Sequence, residues 1–114
     1  MSYVISRHKE FDRSIKRLLK RYHSLSDDYE DFIDSLQKNP YQGAELSPGI
    51  RKIRMAITSK GRGKSGSARV ITANAIVAEH EGRIALLTIY DKEDASTVRL
   101  NVIKQMAREL GFEV

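Results

Sequence analysis

The sequence predicts an α+β domain in which a small antiparallel-rich sheet carries helices packed on one face, in the order β-α-α-β-β-β-α. Three observations predict it. Apolar residues recur at helical spacing in two early segments and one late one, the middle of the chain alternates or runs β-branched as strands do, and no helix-length segment separates the later strands. The 114 residues, 40% of them hydrophobic, suffice for one core and leave no room for a second, so residues 1–114 read as a single domain.

Tyr3, Val4 and Ile5 form a short apolar, β-prone piece that reads as the first strand. From His8 to Tyr22 the residues Phe11, Ile15, Leu18, Leu19 and Tyr22 make the stripe of an amphipathic helix whose other face is basic. A second helix starts after Ser24 or Ser26 as N-cap. Asp27 and Asp28 occupy its favourable first turn, Tyr29, Phe32, Ile33 and Leu36 line one side, and Asn39-Pro40 ends it. Residues 41–49 read as a loop. In Ile50-Arg-Lys-Ile-Arg-Met-Ala-Ile57, Ile53, Met55 and Ile57 face one way, and Lys52, Arg54 and Ala56 the other.

The tract from Thr58 to Ser67, with three glycines and three basic residues, reads as a hairpin or loop. Strands over 68–78 and 83–90 follow, divided by a turn at His80, Glu81 and Gly82. Strict alternation in the second points Ala85, Leu87 and Ile89 to the core, and Leu86, Thr88, Tyr90 and Lys92 away from it. Val98, Val102, Ile103, Met106 and Leu110 describe a third helix, capped by Asp94 or Ser96 and stopped at Gly111.

The chain lacks cysteine, which excludes disulfides, thiolate nucleophiles and cysteine-ligated zinc. With no long apolar run and no signal-peptide pattern in the first ten residues, a cytoplasmic protein with no membrane partner is expected. His8, His23 and His80 fall in separate segments without metal-ligand spacing, so each is expected at the surface and no metal or cofactor is expected. The Gly-Arg-Gly-Lys-Ser-Gly stretch is not a phosphate-binding P-loop. Counting back five from Gly63 gives Thr58 where that motif needs glycine, and a strand follows instead of a helix.

The net charge of +5 conceals blocks of alternating sign. A basic helix precedes an acidic one, and from Leu46 to Ala78 no acidic residue occurs while Arg51, Lys52, Arg54, Lys60, Arg62, Lys64 and Arg69 do. Such a tract fits a polyanionic partner or a solvated cationic face. On the expected sheet Lys52 and Arg54 share a face, Arg69 opens the next strand, and Tyr90 and Lys92 approach from the last. Cations gathered without carboxylates repel one another, and RNA phosphates would offset that repulsion.

The passage Arg51-Lys-Ile-Arg-Met-Ala-Ile-Thr-Ser-Lys-Gly-Arg-Gly-Lys-Ser-Gly-Ser-Ala-Arg-Val-Ile71, with Leu-Leu-Thr-Ile-Tyr-Asp-Lys-Glu-Asp after it, resembles the RelE/ParE superfamily, and within it the HigB-like messenger-RNA interferases of type II toxin–antitoxin systems. The likeness runs from about Phe11 to Val102 and includes Asn39-Pro40 and Gly49-Ile-Arg-Lys52. It implies a toxin with a RelE-like fold that inhibits translation as a metal-independent endoribonuclease, cleaving messenger RNA on the ribosome. It also implies a cognate antitoxin, typically a helix-turn-helix DNA-binding protein. Some relatives of the ParE type instead inhibit DNA gyrase without catalysis, and a non-catalytic RNA-binding or antitoxin-binding relic is a further alternative.

Carried over by position, the resemblance makes Lys52 and Arg54 the strand cations that contact phosphate, Arg69 the group that stabilises the scissile phosphate, and Lys92 the basic residue after the last strand. Tyr90 joins them as a catalytic candidate, and Arg51, Lys60, Arg62 and Lys64 are the accessory RNA-binding candidates. In the implied reaction the ribose 2′-hydroxyl attacks the adjacent phosphorus, and Lys52 or Tyr90 transfers a proton. A lysine in that role requires a pKa lowered by neighbouring cations. The chain departs from the family pattern in four places. Ser67 replaces a second glycine, Thr72-Ala73 replaces a tyrosine-rich strand end, Asp91 brings a carboxylate beside the expected site, and Val98 and Leu100 stand where some relatives carry tyrosine.

Overall fold

The computed structural model describes residues 2–61, 66–94 and 98–114. Strand β1 (Val4–Arg7) leads into α1 (Lys9–Arg21) and α2 (Leu25–Lys38). Strands β2 (Ala44–Ser47) and β3 (Ile50–Ala56) follow, then a 3₁₀ turn (Thr58–Lys60), the long hairpin β4 (Ser67–Ala78) and β5 (Glu81–Asp91), and α3 (Leu100–Glu109). The strands form a five-stranded sheet in the order β1-β5-β4-β3-β2. Its pairings are antiparallel except where β1 lies parallel to β5. The expected α+β class and antiparallel-rich sheet are therefore present, with β2 added where the sequence read as a loop.

Helix α1 starts at His8, whose Nδ1 accepts from the Glu10 N–H as an N-cap, while Nε2 pairs with Glu109 Oε1 at 3.0 Å. His8 is thus buried, against the expectation of a surface residue, because its ring satisfies a helix end that would otherwise leave donors unpaired. His23 is exposed, and His80, in the β4–β5 turn, is intermediate. Helix α2 begins after Ser24 and ends at Asn39, as its acidic first turn and Asn-Pro stop predict. Helix α3 begins at Leu100 with Arg99 as N-cap, so Asp94 does not cap it, and Ser96 lies outside the described residues.

Helices α1 and α2 cover one sheet face, where Phe11, Leu18, Leu25 and Leu36 pack with Ile53, Met55, Val70, Ile84, Leu86 and Ile89. Helix α3 covers part of the opposite face, where Ile103, Met106, Ala107 and Phe112 pack with Ile50, Ile71, Ala73, Ala85 and Leu87. The expectation that all helices share one face is thus corrected: the three inner strands are apolar on both sides along part of their length and must be buried on both.

Alternation in β5 also fails at one point. Ile71 pairs with Thr88 and Thr72 with Leu86, so Leu87 is an extra residue, a β-bulge. The bulge advances the phase by one. Leu86 and Ile89 therefore meet α1 and α2, whereas Ala85 and Leu87 meet α3. Among the described residues no helix is long and apolar enough to cross a membrane.

Candidate nucleic-acid interface

Helix α3 leaves uncovered the part of its sheet face nearest the end of β5. Across β3, β4 and β5, Arg54 pairs with Arg69 and Arg69 with Tyr90, forming one row on three adjacent strands. One pleat earlier in β3, Lys52 lies on the same face, opposite Ile71. A cleft of about 580 Å³ opens over this surface, lined by Lys52, Arg54, Arg69 and Lys92 and walled by Gln42, Gly43 and Ala44. Four of the five expected catalytic residues therefore share one cleft.

Arg69 is the enclosed member, 8% exposed. Its Nη1 donates to the Ser67 hydroxyl and to the Ala68 carbonyl at 3.3 Å. Burial, and then the Arg54 charge, lowers its pKa from the ordinary arginine value, with Tyr90 acting in the opposite sense. A guanidinium stays protonated under such pressure, so the stress remains in the fold as uncompensated positive charge. Among the described residues none of Lys52, Arg54, Arg69 or Lys92 has a carboxylate partner. Like charges placed directly across strands destabilise a sheet, and an anion in the cleft would reverse the sign of that effect.

Tyr90 stands beside Arg69, but its hydroxyl is buried, lacks a hydrogen-bond partner among the described residues, and does not line the cleft. Burial raises its phenolic pKa, and Arg69 opposes this. The phenol is therefore neutral near pH 7, a proton donor and not a base.

The accessory candidates divide differently. Arg51 points away from Lys52, donating to the Gln42 carbonyl at 2.8 Å and the Gly43 carbonyl at 3.0 Å, so it braces the cleft wall. The Lys60 side chain is 7% exposed and bound to Asp91 and Glu93, on the face away from the cleft. Arg62 and Lys64 lie outside the described residues. Asp91, expected beside the site, instead points into the opposite face, because it follows Tyr90 in an extended strand. There it accepts from Tyr22 Oη at 2.5 Å and Lys60 Nζ at 2.8 Å, and it leaves the cleft cations unneutralised.

Sequence reading did not find the cleft wall. The signal was Gly43, held at φ 75° where an added Cβ would run into the Lys52 carbonyl, a close backbone approach that marks paired strands and not a free loop. It also treated Ser67 only as a departure, although a hydroxyl two residues before Arg69 lies on the same strand face. Among the described residues no group of three or more His, Asp or Glu side chains gathers as a metal site. No protein-family model matches this sequence.

Proposed function

We propose that this chain is a RelE/HigB-like toxin of a type II toxin–antitoxin system, an endoribonuclease that binds messenger RNA across the Lys52, Arg54, Arg69 and Lys92 cleft and cuts it on the ribosome. The observation that carries the reading is the burial of Arg69 beside Arg54 without a carboxylate partner among the described residues. A fold tolerates such charge most readily where an anion is to be bound.

The chemistry asks for three things at one phosphate: an oriented 2′-hydroxyl, stabilisation of the charge that grows on the phosphorane, and a proton for the departing 5′-oxygen. Arg69 supplies the second, and Arg54 and Lys92 hold the flanking phosphates. Of the two candidate proton-transfer groups, Tyr90 is the donor because its phenol carries its proton near pH 7, once its ring turns to bring the hydroxyl to the substrate. Lys52 lines the cleft and is left as the group that orients the 2′-hydroxyl, whose proton passes to water as the new O–P bond forms and the bond to the 5′-oxygen breaks. A cognate antitoxin would silence the enzyme by laying acidic residues over this basic face, with fast, electrostatically steered association.

The test is incubation of the purified protein with translating ribosomes, followed by mapping of RNA ends. Cuts that leave a 2′,3′-cyclic phosphate and a 5′-hydroxyl, and that fall by about two orders of magnitude or more in Arg69→Ala, are expected. Intact RNA together with blocked gyrase supercoiling would move the chain to the ParE type. Equal cutting by Arg69→Ala would put the site elsewhere.

A further inference from the structure

Arg69 has five N–H donors in one plane, and the fold engages only one corner of that plane. Nη1 donates to the Ser67 hydroxyl and to the Ala68 carbonyl at 3.3 Å, while Nε and Nη2 meet no acceptor among the described residues. Ser67 and Arg69 are two apart in β4 and so share a face, which lets the arginine stem fold back along its own strand. The Nε and Nη2 edge is the side of a guanidinium that makes two parallel bonds to an oxyanion.

We infer that Ser67 is a positioning residue: by occupying Nη1 it fixes the guanidinium plane and reserves the Nε and Nη2 edge of Arg69 for two non-bridging oxygens of one phosphodiester. A glycine at 67 would offer no side-chain oxygen, and the fork would then rotate about its terminal torsions. A guanidinium plane already held in place need not be reoriented as charge grows on the phosphorane. The identification of the ligand as a phosphodiester rests on the nuclease reading, but the claim that Ser67 fixes Arg69 does not. Ser67 acts through Arg69 and touches no substrate itself.

Two readouts separate these claims, applied to the full chain and to Ser67→Ala, Ser67→Gly and Ser67→Thr. In the free protein, NMR line shapes of the Arg69 guanidinium N–H groups report rotation about Nε–Cζ. Restricted rotation is expected in the parent and in Ser67→Thr, and release in Ser67→Ala and Ser67→Gly. In single-turnover cleavage of a short RNA, Ser67→Ala and Ser67→Gly are expected to lose roughly ten-fold in rate, the scale of one hydrogen bond to a charged group, and Ser67→Thr to recover most of it. Binding of the same RNA with 2′-deoxyribose at the cut should change less than about two-fold, since the orientation matters most as charge grows on the phosphorane.

Unchanged rotation in Ser67→Ala would overturn the assignment. So would parent-level cleavage by that variant while Arg69→Ala is inactive, or a threonine variant no better than alanine. If the parent leaves RNA intact, the nuclease reading fails by itself, and the rotation measurement still decides the role of Ser67.

Discussion

Lys60 Nζ donates to Asp91 Oδ1 at 2.8 Å, and the two side chains are 7% and 0% exposed. Tyr22, the Glu93 N–H and, at 3.6 Å, Arg21 also engage the carboxylate, so the end of α1, the 3₁₀ turn and the end of β5 meet at one buried charge. Asp91→Ala is expected to lower stability by about 3–5 kcal/mol, because it strands the Lys60 ammonium without its main partner. Replacing both, as Asp91→Leu with Lys60→Met, should recover most of that loss. Urea denaturation of the three variants checks this, and equal losses in the single and double replacements would refute it.

The same carboxylate sets an acid limit. Burial alone would raise the Asp91 pKa, but hydrogen bonds from Lys60, Tyr22 and the Glu93 backbone outweigh it and hold the value below the ordinary one. The unfolded chain therefore binds protons first. The stability Asp91 contributes is complete at neutral pH, begins to fall near about pH 4, and is lost as pH drops through the depressed folded value. Stability of Asp91→Asn measured over that acid range should be flatter than the parent's, and matching slopes would exclude the residue as the source.

On the proposed reading Arg69 trades stability for function. Arg69→Met keeps the stem's packing and removes a desolvated charge facing Arg54, so it should raise stability by about 1 kcal/mol while abolishing cleavage. A lowered melting temperature in Arg69→Met would mean that its bonds to Ser67 and Ala68 outweigh the repulsion.

On the proposed reading Lys52 and Arg54 both face RNA phosphate, Arg54 from the row and Lys52 from one pleat before it. Replacing both by alanine should reduce the slope of log K against log salt for single-stranded RNA by about 0.7 for each phosphate no longer neutralised. An unchanged slope would place the RNA on another surface.

Gly43 keeps β2 against β3 where the cleft wall begins. Gly43→Ala combines a positive φ with a clash at the Lys52 carbonyl, so a loss above about 1 kcal/mol is expected together with weakened RNA binding. Thermal unfolding and a binding titration read both effects.

The helices and the long strands were legible because their signals are local: Phe11, Ile15 and Leu18 mark α1 at helical spacing, and Asn39-Pro40 stops α2. The cations at 52, 54 and 69 were legible as one face because period two alone fixes it. Three features were hidden because they depend on partners distant in sequence. Pairing of residues 44–47 with β3 needs Gly43 beside Lys52, the helix on the second face needs the bulge at Leu87, and the role of Lys60 needs Asp91. By charge alone Lys60 is one more cation of a basic tract. Only the tertiary pairing shows it already neutralised.

The bulge at Leu87 also makes the charge of the cleft a matter of chain length. Tyr90 and Asp91 are neighbours on opposite sides of the sheet, and the number of residues after Leu87 decides which of them sits beside Arg69. Deleting Thr88 or Ile89 while the pairing before it is kept would move Asp91 into the place of Tyr90, bringing an anion in among Arg54, Arg69 and Lys52, and would move Lys92 into the place of Asp91 beside Lys60. The segment therefore tolerates exchanges of side chain far better than insertions or deletions, since a single codon removed there would take Lys92 from the cleft, put a carboxylate into it and set two ammonium groups together on the opposite face.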